Sequence, residues 1–189
     1  MQCPKHKTST LVEHLLEPGL TAMQCPQTGG VWIDRDRYEA WRSQQAQAEL
    51  DPVDLSQKLE QIDFQPAPED TKAALCPESG RILVRARVDT QPPFYVDRSP
   101  VNGGIWLDRG EWDILKQLGL HLQIDRLFSG DWQAQLREQQ QIERSREATI
   151  EKLGADLAQQ VFDLAEALKQ HPRGDFGVAY LMQQFDRPE

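Results

Sequence analysis

Two cysteines and one histidine near the beginning of the chain have the spacing of metal ligands. Cys3 and His6 lie in a Cys-Pro-Lys-His run, and Cys25 begins a Cys-Pro-Gln-Thr run that ends at Thr28. Structural zinc is held by thiolate and imidazole groups, and two short turns with two ligands each can surround one tetrahedral ion. Cys3, His6 and Cys25 are therefore the candidate metal ligands, and Thr28 occupies the fourth position.

A second set of four residues has a matching arrangement, offset by 73 or 74 positions (76 − 3 = 73 and 102 − 28 = 74). It consists of Cys76, Ser79, Ser99 and Asn102. Only the cysteine in this set can form a thiolate, and neutral hydroxyl and amide groups are poor zinc ligands. We therefore expect the second set to bind no metal.

An internal repeat explains why the two sets match. Thr-Gly-Gly-Val-Trp-Ile-Asp-Arg begins at Thr28, and Asn-Gly-Gly-Ile-Trp-Leu-Asp-Arg begins at Asn102. Such self-similarity predicts one small supersecondary unit that is built twice. In each copy the two glycines allow a tight turn, and the alternating apolar residues that follow predict a short strand.

A helix is expected after each of these strands. In the second copy, Asp108 and Glu111 match a capping box and predict a helix from Arg109. In the first copy Asp34 can cap a helix, but the reciprocal glutamate is missing. The tryptophans of the repeat are predicted to be core residues, because such large apolar side chains are usually buried. They are Trp32, Trp106 and Trp112.

The first copy resembles the transcription-factor-IIB-type zinc-ribbon family of small bacterial proteins. The family pattern is Cys-Pro-x-Cys, a hairpin, then Cys-Pro-x-Cys-Gly-Gly-hydrophobic-Trp-hydrophobic-Asp and a short helix. Residues 96–111 of the second copy follow the same pattern but have Ser99 and Asn102 at the cysteine positions. The resemblance implies short antiparallel strands and a short helix in each copy, around a zinc site that both copies have partly lost. No cofactor is predicted with commitment, and one zinc ion in the first copy is left open.

The predicted fold class is α+β, with two tandem, degenerate zinc-ribbon-like units and a C-terminal helical extension. The first unit with a trailing helix covers residues 1–64, a linker covers 65–72, and the metal-free second unit covers 73–128. The helical extension covers residues 129–189. Because units of this size are near the lower limit for an independent core, we expect them to pack together or onto the extension.

The extension is predicted to contain one long helix and one short terminal helix. Residues 133–152 are too polar to bury a face and should project, and the long helix should continue to His171 with an apolar stripe in its second half. The stripe consists of Leu153, Leu157, Val161, Leu164 and Leu168. Phe176, Leu181 and Phe185 lie in the terminal segment, which we expect to dock on its own chain. The alternative is that this segment is presented to another protein, with Phe176, Leu181 and Phe185 as the candidate contacts. A homodimer through the apolar stripe is also left open.

An arginine-rich segment at residues 81–88 is a second candidate binding surface. Its alternation predicts a strand with Ile82, Val84, Ala86 and Val88 on one face and Arg81, Arg85 and Arg87 on the other. The arginines can form a simple solvent-exposed face. They can also bind an anion or an acidic partner, together with Arg98.

Composition limits the classes of function. The net charge of −9 disfavours nonspecific nucleic-acid binding, and the three cysteines cannot form an even disulfide framework. The sequence has no long apolar run and no basic-then-apolar leader, so we expect no transmembrane segment and a cytoplasmic location.

The leading functional hypothesis is a non-enzymatic adaptor or complex-assembly factor that binds another protein. Strand, tryptophan and helix-cap residues remain in both copies while metal ligands are lost, which is typical of a scaffold. The alternative is a nucleic-acid-associated zinc-ribbon module that uses the arginine face. A metal-dependent enzyme at the first site would require bound zinc with an open coordination position.

Overall fold

A computed structural model describes residues 1–46 and 51–185 of the chain. These residues form an α+β fold, as predicted, with six strands, seven helices and one short 3-10 turn at Leu120–Leu122. The strands are β1 (Val12–Glu17), β2 (Leu20–Gln24), β3 (Val31–Ile33), β4 (Val84–Val88), β5 (Phe94–Arg98) and β6 (Ile105–Leu107). The helices are α1 (Arg35–Arg42), α2 (Pro52–Gln61), α3 (Glu111–Gln117), α4 (Ile124–Leu127), α5 (Gly130–Leu153), α6 (Ala155–Gln170) and α7 (Gly174–Phe185).

The two copies of the repeat share one antiparallel sheet. Its strand order is β1-β2-β3-β6-β5-β4, so each copy contributes three strands and the two copies meet at β3 and β6. At this junction Trp32 lies opposite Trp106. The expectation that the two units pack together is confirmed, and β1 and β4 form the two edges of the sheet.

The Gly-Gly pairs fit the tryptophans of the opposite copy. A Cβ atom at Gly30 would overlap the ring of Trp106, and one at Gly104 would overlap the ring of Trp32. Gly103, the first glycine of the second pair, has a φ of 72°, which residues other than glycine rarely adopt. The repeated motif therefore encodes both a tight turn and a close contact between the copies.

Two apolar cores lie against the sheet. The larger core contains Trp112 and the buried faces of α1, α2, α3 and α4. The smaller core contains Trp32, Trp106 and all three cysteines. All three tryptophans that were predicted to be core residues are buried, so this prediction is confirmed.

Helix α1 is capped as predicted, whereas α2 begins at Pro52 and ends at Gln61 rather than covering the predicted residues 54–64. The Asp34 side chain accepts a hydrogen bond of 3.1 Å from the amide of Arg37 and so caps α1. Helix α2 buries Leu55 and Leu59, the apolar side of the helix expected between the two copies.

The helix after the second copy begins later than predicted. It starts at Glu111 rather than Arg109, because Gly110 adopts a φ of 90° and interrupts the chain there. Glu111 accepts a hydrogen bond of 2.8 Å from the Asp108 amide, which is half of the predicted capping box. The Asp108 side chain accepts a hydrogen bond of 2.9 Å from Trp106 Nε1 instead of capping the helix. The other half of the capping box therefore does not form.

The segment predicted as a linker is fixed to the second copy by one acid. Asp70 is buried, and its carboxylate accepts a hydrogen bond of 3.2 Å from the Tyr95 amide. The same carboxylate lies 3.2 Å from the Arg85 guanidinium. A polar, proline-rich composition identified a connection, but it did not show that one of its acids would be buried.

The chain forms two compact units, Met1–Gln139 and Gln140–Glu189. The beginning of α5 belongs to the first unit, where Leu136 is buried in the larger core and Trp132 packs against it. The prediction that residues 133–152 bury no face is therefore wrong at Leu136.

The second unit contains a helical hairpin formed by α6 and α7. The single helix predicted as far as His171 is interrupted at Gly154, which has a φ of 78°. Gly174 and Gly177 lie against Leu168, since a Cβ atom at Gly177 would be 2.5 Å from Leu168 Cδ2. Small residues thus allow the close approach of α7 to α6. None of the described helices is long and apolar enough to cross a membrane.

Candidate functional site

Three of the four predicted ligand turns share one backbone pattern. The amides of Cys25, Cys76 and Ser99 each donate to the carbonyl five residues later, over 2.7–2.8 Å. The carbonyls of the same three residues accept from the amide four residues later, over 2.8–3.0 Å. The turn at Cys3 is one residue longer, because its amide donates to Ser9. Backbone hydrogen bonds therefore close these turns whatever side chain occupies the ligand position.

The first candidate site brings two thiols together but leaves the histidine outside. Cys3 and Cys25 are buried, and Cys3 Sγ lies 4.0 Å from Thr28 Oγ1. His6 is exposed, with its Nδ1 atom 3.3 Å from Thr8 Oγ1. In residues 1–46 and 51–185, these three candidate ligands do not form a cluster with all ligand atoms within 4.8 Å.

The two thiols have opposite pKa shifts. Burial raises the pKa of Cys3 to about 11, and a hydrogen bond with Cys25 adds to the rise. Burial also disfavours the Cys25 thiolate, but hydrogen bonds with Ser9 and Thr28 outweigh it and lower the pKa of Cys25 to about 6. Since both sulfurs are buried, they do not form an accessible nucleophile.

In the second candidate site, backbone amides donate hydrogen bonds to the side chains at the ligand positions. The Ser79 amide donates to Cys76 Sγ over 3.4 Å. Ser99 Oγ accepts from the amides of Val101 and Asn102, over 3.3 and 3.4 Å. The Ser99 hydroxyl therefore accepts hydrogen bonds from backbone amides of its own turn.

Asn102 connects the second copy to the first. Its Oδ1 accepts from the Gly104 amide over 3.3 Å, and its Nδ2 donates to Glu78. Glu78 also accepts from Trp32 Nε1 over 2.9 Å. An amide at this ligand position therefore supports the contact between the two copies.

We predict that zinc titrated into the full-length protein reaches at most one equivalent, and that Cys76→Ser leaves this number unchanged. A fragment of residues 73–128 is unsuitable for this measurement because β6 pairs with β3 of the first copy. Elemental analysis after dialysis measures the bound zinc, with Cys25→Ser as the matched variant in the first copy. Loss of zinc from the Cys76→Ser protein alone would contradict the prediction.

A buried lysine crosses from the first turn into the second copy. The Lys5 side chain is 0% exposed, and its ammonium lies 3.1 Å from Asp97 and 3.5 Å from Asp108. It also donates to the backbone carbonyls of Glu69 and Lys72. Sequence reasoning treated this lysine as a spacer between Cys3 and His6, and no local pattern indicates its burial.

Asp108 also belongs to a cluster of three buried acids, in which the other two are Asp70 and Glu111. Asp70, Asp108 and Glu111 are buried, and each offers a carboxylate oxygen within 4.8 Å of the other two. Burial raises the pKa of Glu111 well above its usual value, and the neighbouring Asp108 raises it further. Burial raises the pKa of Asp108 as well, and that of Asp70 to about 6. Because Lys5 already contacts Asp108, we interpret this cluster as an ion-pair network that holds the two copies together.

The arginine segment differs from its predicted alternation. Strand β4 begins only at Val84, which is exposed, as is Ile82 before it. Leu83 is buried in the smaller core instead. Ala86 and Val88 are buried as predicted, so the two-face prediction holds only for the second half of the segment.

Two of the three predicted arginines are in ion pairs. Arg85 lies 2.7 Å from Asp97 and is part of the buried network. Arg87 lies 2.8 Å from Asp89 and remains more than half exposed. Arg81 is exposed and precedes the strand.

A cleft of about 730 Å³ lies beside β4 and is rich in arginine. Its walls are β4, the turn after β5, α4 and the beginning of α5. The arginines that line it are Arg35, Arg85, Arg87, Arg98 and Arg137. We call this the arginine cleft. Sequence reasoning found Arg85, Arg87 and Arg98, but missed Arg35 and Arg137 because they come from distant parts of the chain.

The predicted contact residues of the terminal segment are exposed. Phe176 is 70% exposed and Phe185 is 85% exposed, so the expected docking on the chain does not bury them. A groove of about 820 Å³ follows α6 and α7 and is lined by Leu164, Leu181 and Phe185 among others. The apolar stripe of α6 is exposed from Leu157 to Leu164. We call these exposed faces of α6 and α7 the hairpin surface.

Comparisons with protein-family models, with curated proteins and with solved structures found no match.

Proposed function

We propose that this protein is a non-enzymatic adaptor or assembly factor of the cytoplasm, which binds another protein through the hairpin surface. We also propose that the two copies are degenerate zinc ribbons that serve as a scaffold. The observation that supports the binding role is the exposure of large apolar side chains on α6 and α7.

The hairpin surface has the composition of a protein-binding site. Monomeric proteins seldom expose large contiguous apolar patches, and those that do commonly use them to bind a partner. The groove between α6 and α7 suits the apolar face of an amphipathic helix, which is one of the recurring modes of peptide recognition. Six of the exposed side chains are Leu157, Val161, Leu164, Phe176, Met182 and Phe185.

The groups that would be needed for catalysis are occupied by structural contacts. The Cys25 thiol is buried and donates to Ser9, and the four buried acids surround Lys5 or Arg85. A catalytic group must reach the proton or atom on which it acts. This arrangement favours a structural role for both sets of groups over a catalytic one.

The nucleic-acid alternative has less support. The Arg85 guanidinium forms ion pairs with Asp70 and Asp97, and the chain has a net charge of −9. Nonspecific affinity for nucleic acid depends on cations that are free to neutralise phosphates. The arginine face predicted for this role therefore has fewer free charges than its sequence suggests.

The proposal predicts that Leu164→Asp combined with Phe185→Asp weakens partner binding without unfolding the protein. Both side chains are exposed and line the groove, so a polar replacement removes contact area only in the complex. The loss of two apolar contacts should weaken binding about tenfold or more. Pull-down with the full-length protein, followed by identification of the retained proteins, measures the effect.

Leu15→Asp is the matched control, because Leu15 is 63% exposed on the edge strand β1 of the first unit. A partner retained by this control and lost from the double variant supports the proposal. Partner binding that survives in the double variant would assign recruitment to the first unit. If the only partner is a second copy of the chain, sedimentation will show a dimer that the double variant dissociates.

A further inference from the structure

The edge of the sheet is open along the arginine cleft. Strand β4 is the last strand of the sheet and pairs only with β5 within residues 1–46 and 51–185. The four consecutive residues 84–87 all line the cleft, so the cleft follows the strand itself. An unpaired strand edge presents backbone donors and acceptors that can pair with an added strand.

Positive side chains outnumber negative ones in the lining of the cleft, although Arg85, Arg87 and Arg98 each have an acidic partner. The cleft is lined by five arginines and one acid, Asp125, which is shared between Arg98 at 3.0 Å and Arg42 at 3.1 Å. Within the described part of the chain, no carboxylate forms an ion pair with Arg35 or Arg137. In a chain with a net charge of −9, two arginines in one cleft without an acidic partner among the described residues favour an anionic ligand.

Two of the arginines are held in place before any ligand arrives. The Arg98 guanidinium lies 4.1 Å from the centre of the Phe128 ring, and Arg85 lies 4.4 Å from the centre of the Tyr95 ring. Stacking and the ion pair with Asp125 restrict Arg98 further. A guanidinium that is fixed in this way loses less conformational freedom when it binds a carboxylate.

The rim of the cleft also contains apolar side chains. Val84 and Val101 line the cleft and are both exposed. The register of β4 and β5 places Val84 on the same face of the sheet as Arg98, and Arg85 and Arg87 on the opposite face. An added strand that alternates acidic and apolar side chains would therefore present its acids to one of these faces and its apolar side chains to the other. This alternation is the natural pattern of an extended strand.

We propose that an extended acidic segment of a partner protein pairs with the outer edge of β4 and places its carboxylates against the arginines of the cleft. This site lies in the first unit, so the inference goes beyond the hairpin surface and does not depend on it. Nucleic acid fits the site less well, because base stacking needs free aromatic faces. The two aromatic rings here, Phe128 and Tyr95, are each covered by an arginine.

The test uses the full-length protein and a fluorescent peptide of about ten residues that alternates glutamate and valine. We expect fluorescence anisotropy to show salt-dependent binding of this peptide, and no binding of the matching lysine–valine peptide. A peptide with proline at every valine position keeps the charge but cannot donate backbone hydrogen bonds at those positions. It should bind about tenfold more weakly or worse.

The double variant Arg35→Glu and Arg137→Glu should lower affinity for the glutamate–valine peptide by about tenfold or more. Both arginines are exposed, so the substitutions should leave the fold intact. Arg109→Glu is the matched control, because Arg109 lies 74 positions after Arg35 and contacts Gly29 as Arg35 contacts Gly103. We expect this control to bind the peptide as the unmodified protein does.

Three results would overturn the proposal. Equal affinity of the peptide for the double variant and the unmodified protein would remove the cleft from the site. Equal affinity for the proline peptide would exclude strand addition. Tighter binding of a single-stranded oligonucleotide with the same charge, lost in the double variant, would make the cleft a nucleic-acid site. The Leu164→Asp and Phe185→Asp variant should bind the peptide normally, so the two proposals can fail separately.

Discussion

Replacing Trp106 by alanine is expected to lower the free energy of unfolding by about 3–5 kcal/mol. Trp106 is almost completely buried in the smaller core and packs against Gly30 of the other copy. The substitution would leave a cavity at the junction of β3 and β6, where the two copies meet. It would also remove the hydrogen bond to the buried carboxylate of Asp108.

Trp32→Ala is the matched variant because Trp32 lies opposite Trp106 in the sheet and packs against Gly104. We expect a loss that is similar but somewhat smaller, since its partner Glu78 is exposed and can be rehydrated. Urea denaturation followed by circular dichroism measures both variants. An unchanged midpoint for Trp106→Ala would show that this residue does not support the fold.

Replacing Lys5 by methionine is expected to cost about 3–5 kcal/mol near neutral pH. The substitution keeps most of the volume of the side chain but removes the ammonium between Asp97 and Asp108. Two buried carboxylates would then lose a close cation. Because Lys5 also binds the backbone carbonyls of Glu69 and Lys72, the connection between the first turn and the second copy would weaken.

The cost of Lys5→Met should depend on pH. Groups whose pKa is raised by folding bind more protons in the native state, so their contribution to stability falls as pH rises through the raised pKa. The pKa of Asp70 is raised to about 6, and those of Asp108 and Glu111 are also raised. The ammonium of Lys5 lowers the pKa of Asp70 and of Asp108, so both values rise further without it, and the variant should be most destabilised at high pH.

Denaturation at about pH 5 and about pH 8 measures this dependence. We expect the difference between Lys5→Met and the unmodified protein to be larger at the higher pH. Lys58→Met is the control, because Lys58 forms an exposed ion pair with Asp54 on one helix and should change stability by less than about 1 kcal/mol. Equal effects of the two substitutions would show that the buried network does not stabilise the fold.

The sequence predicted the local features of the first unit well. The repeat of Gly-Gly, a short apolar run and Asp placed a turn, a strand and a helix in each copy, and all three tryptophans were correctly assigned to the core. Turn glycines and apolar periodicity act over a few residues, so they can be read without a partner. The same local signals located the break after His171, but not the one at Gly154.

Part of the candidate sites could also be predicted. The alternating pattern of one strand identified Arg85 and Arg87, and Arg98 lies in the adjacent strand. Arg35 and Arg137 joined them only in the folded chain, because α1 and α5 come from opposite ends of the first unit. For the same reason the exposure of Phe176 and Phe185 could not be inferred from their apolar pattern, which is equally typical of a buried helix.

By itself, the sequence determined that one small unit is built twice, and that its second copy lacks thiolates at three of four ligand positions. Only the tertiary structure decided that the copies join through β3 and β6, and that Lys5 is buried among acids. The residue pattern of a strand shows which side chains lie on each face, but it does not show which strand pairs with it, since any strand edge offers the same backbone groups. Likewise, a charged side chain is buried only where distant residues supply its partners, and those partners are brought together by the pairing of the two copies.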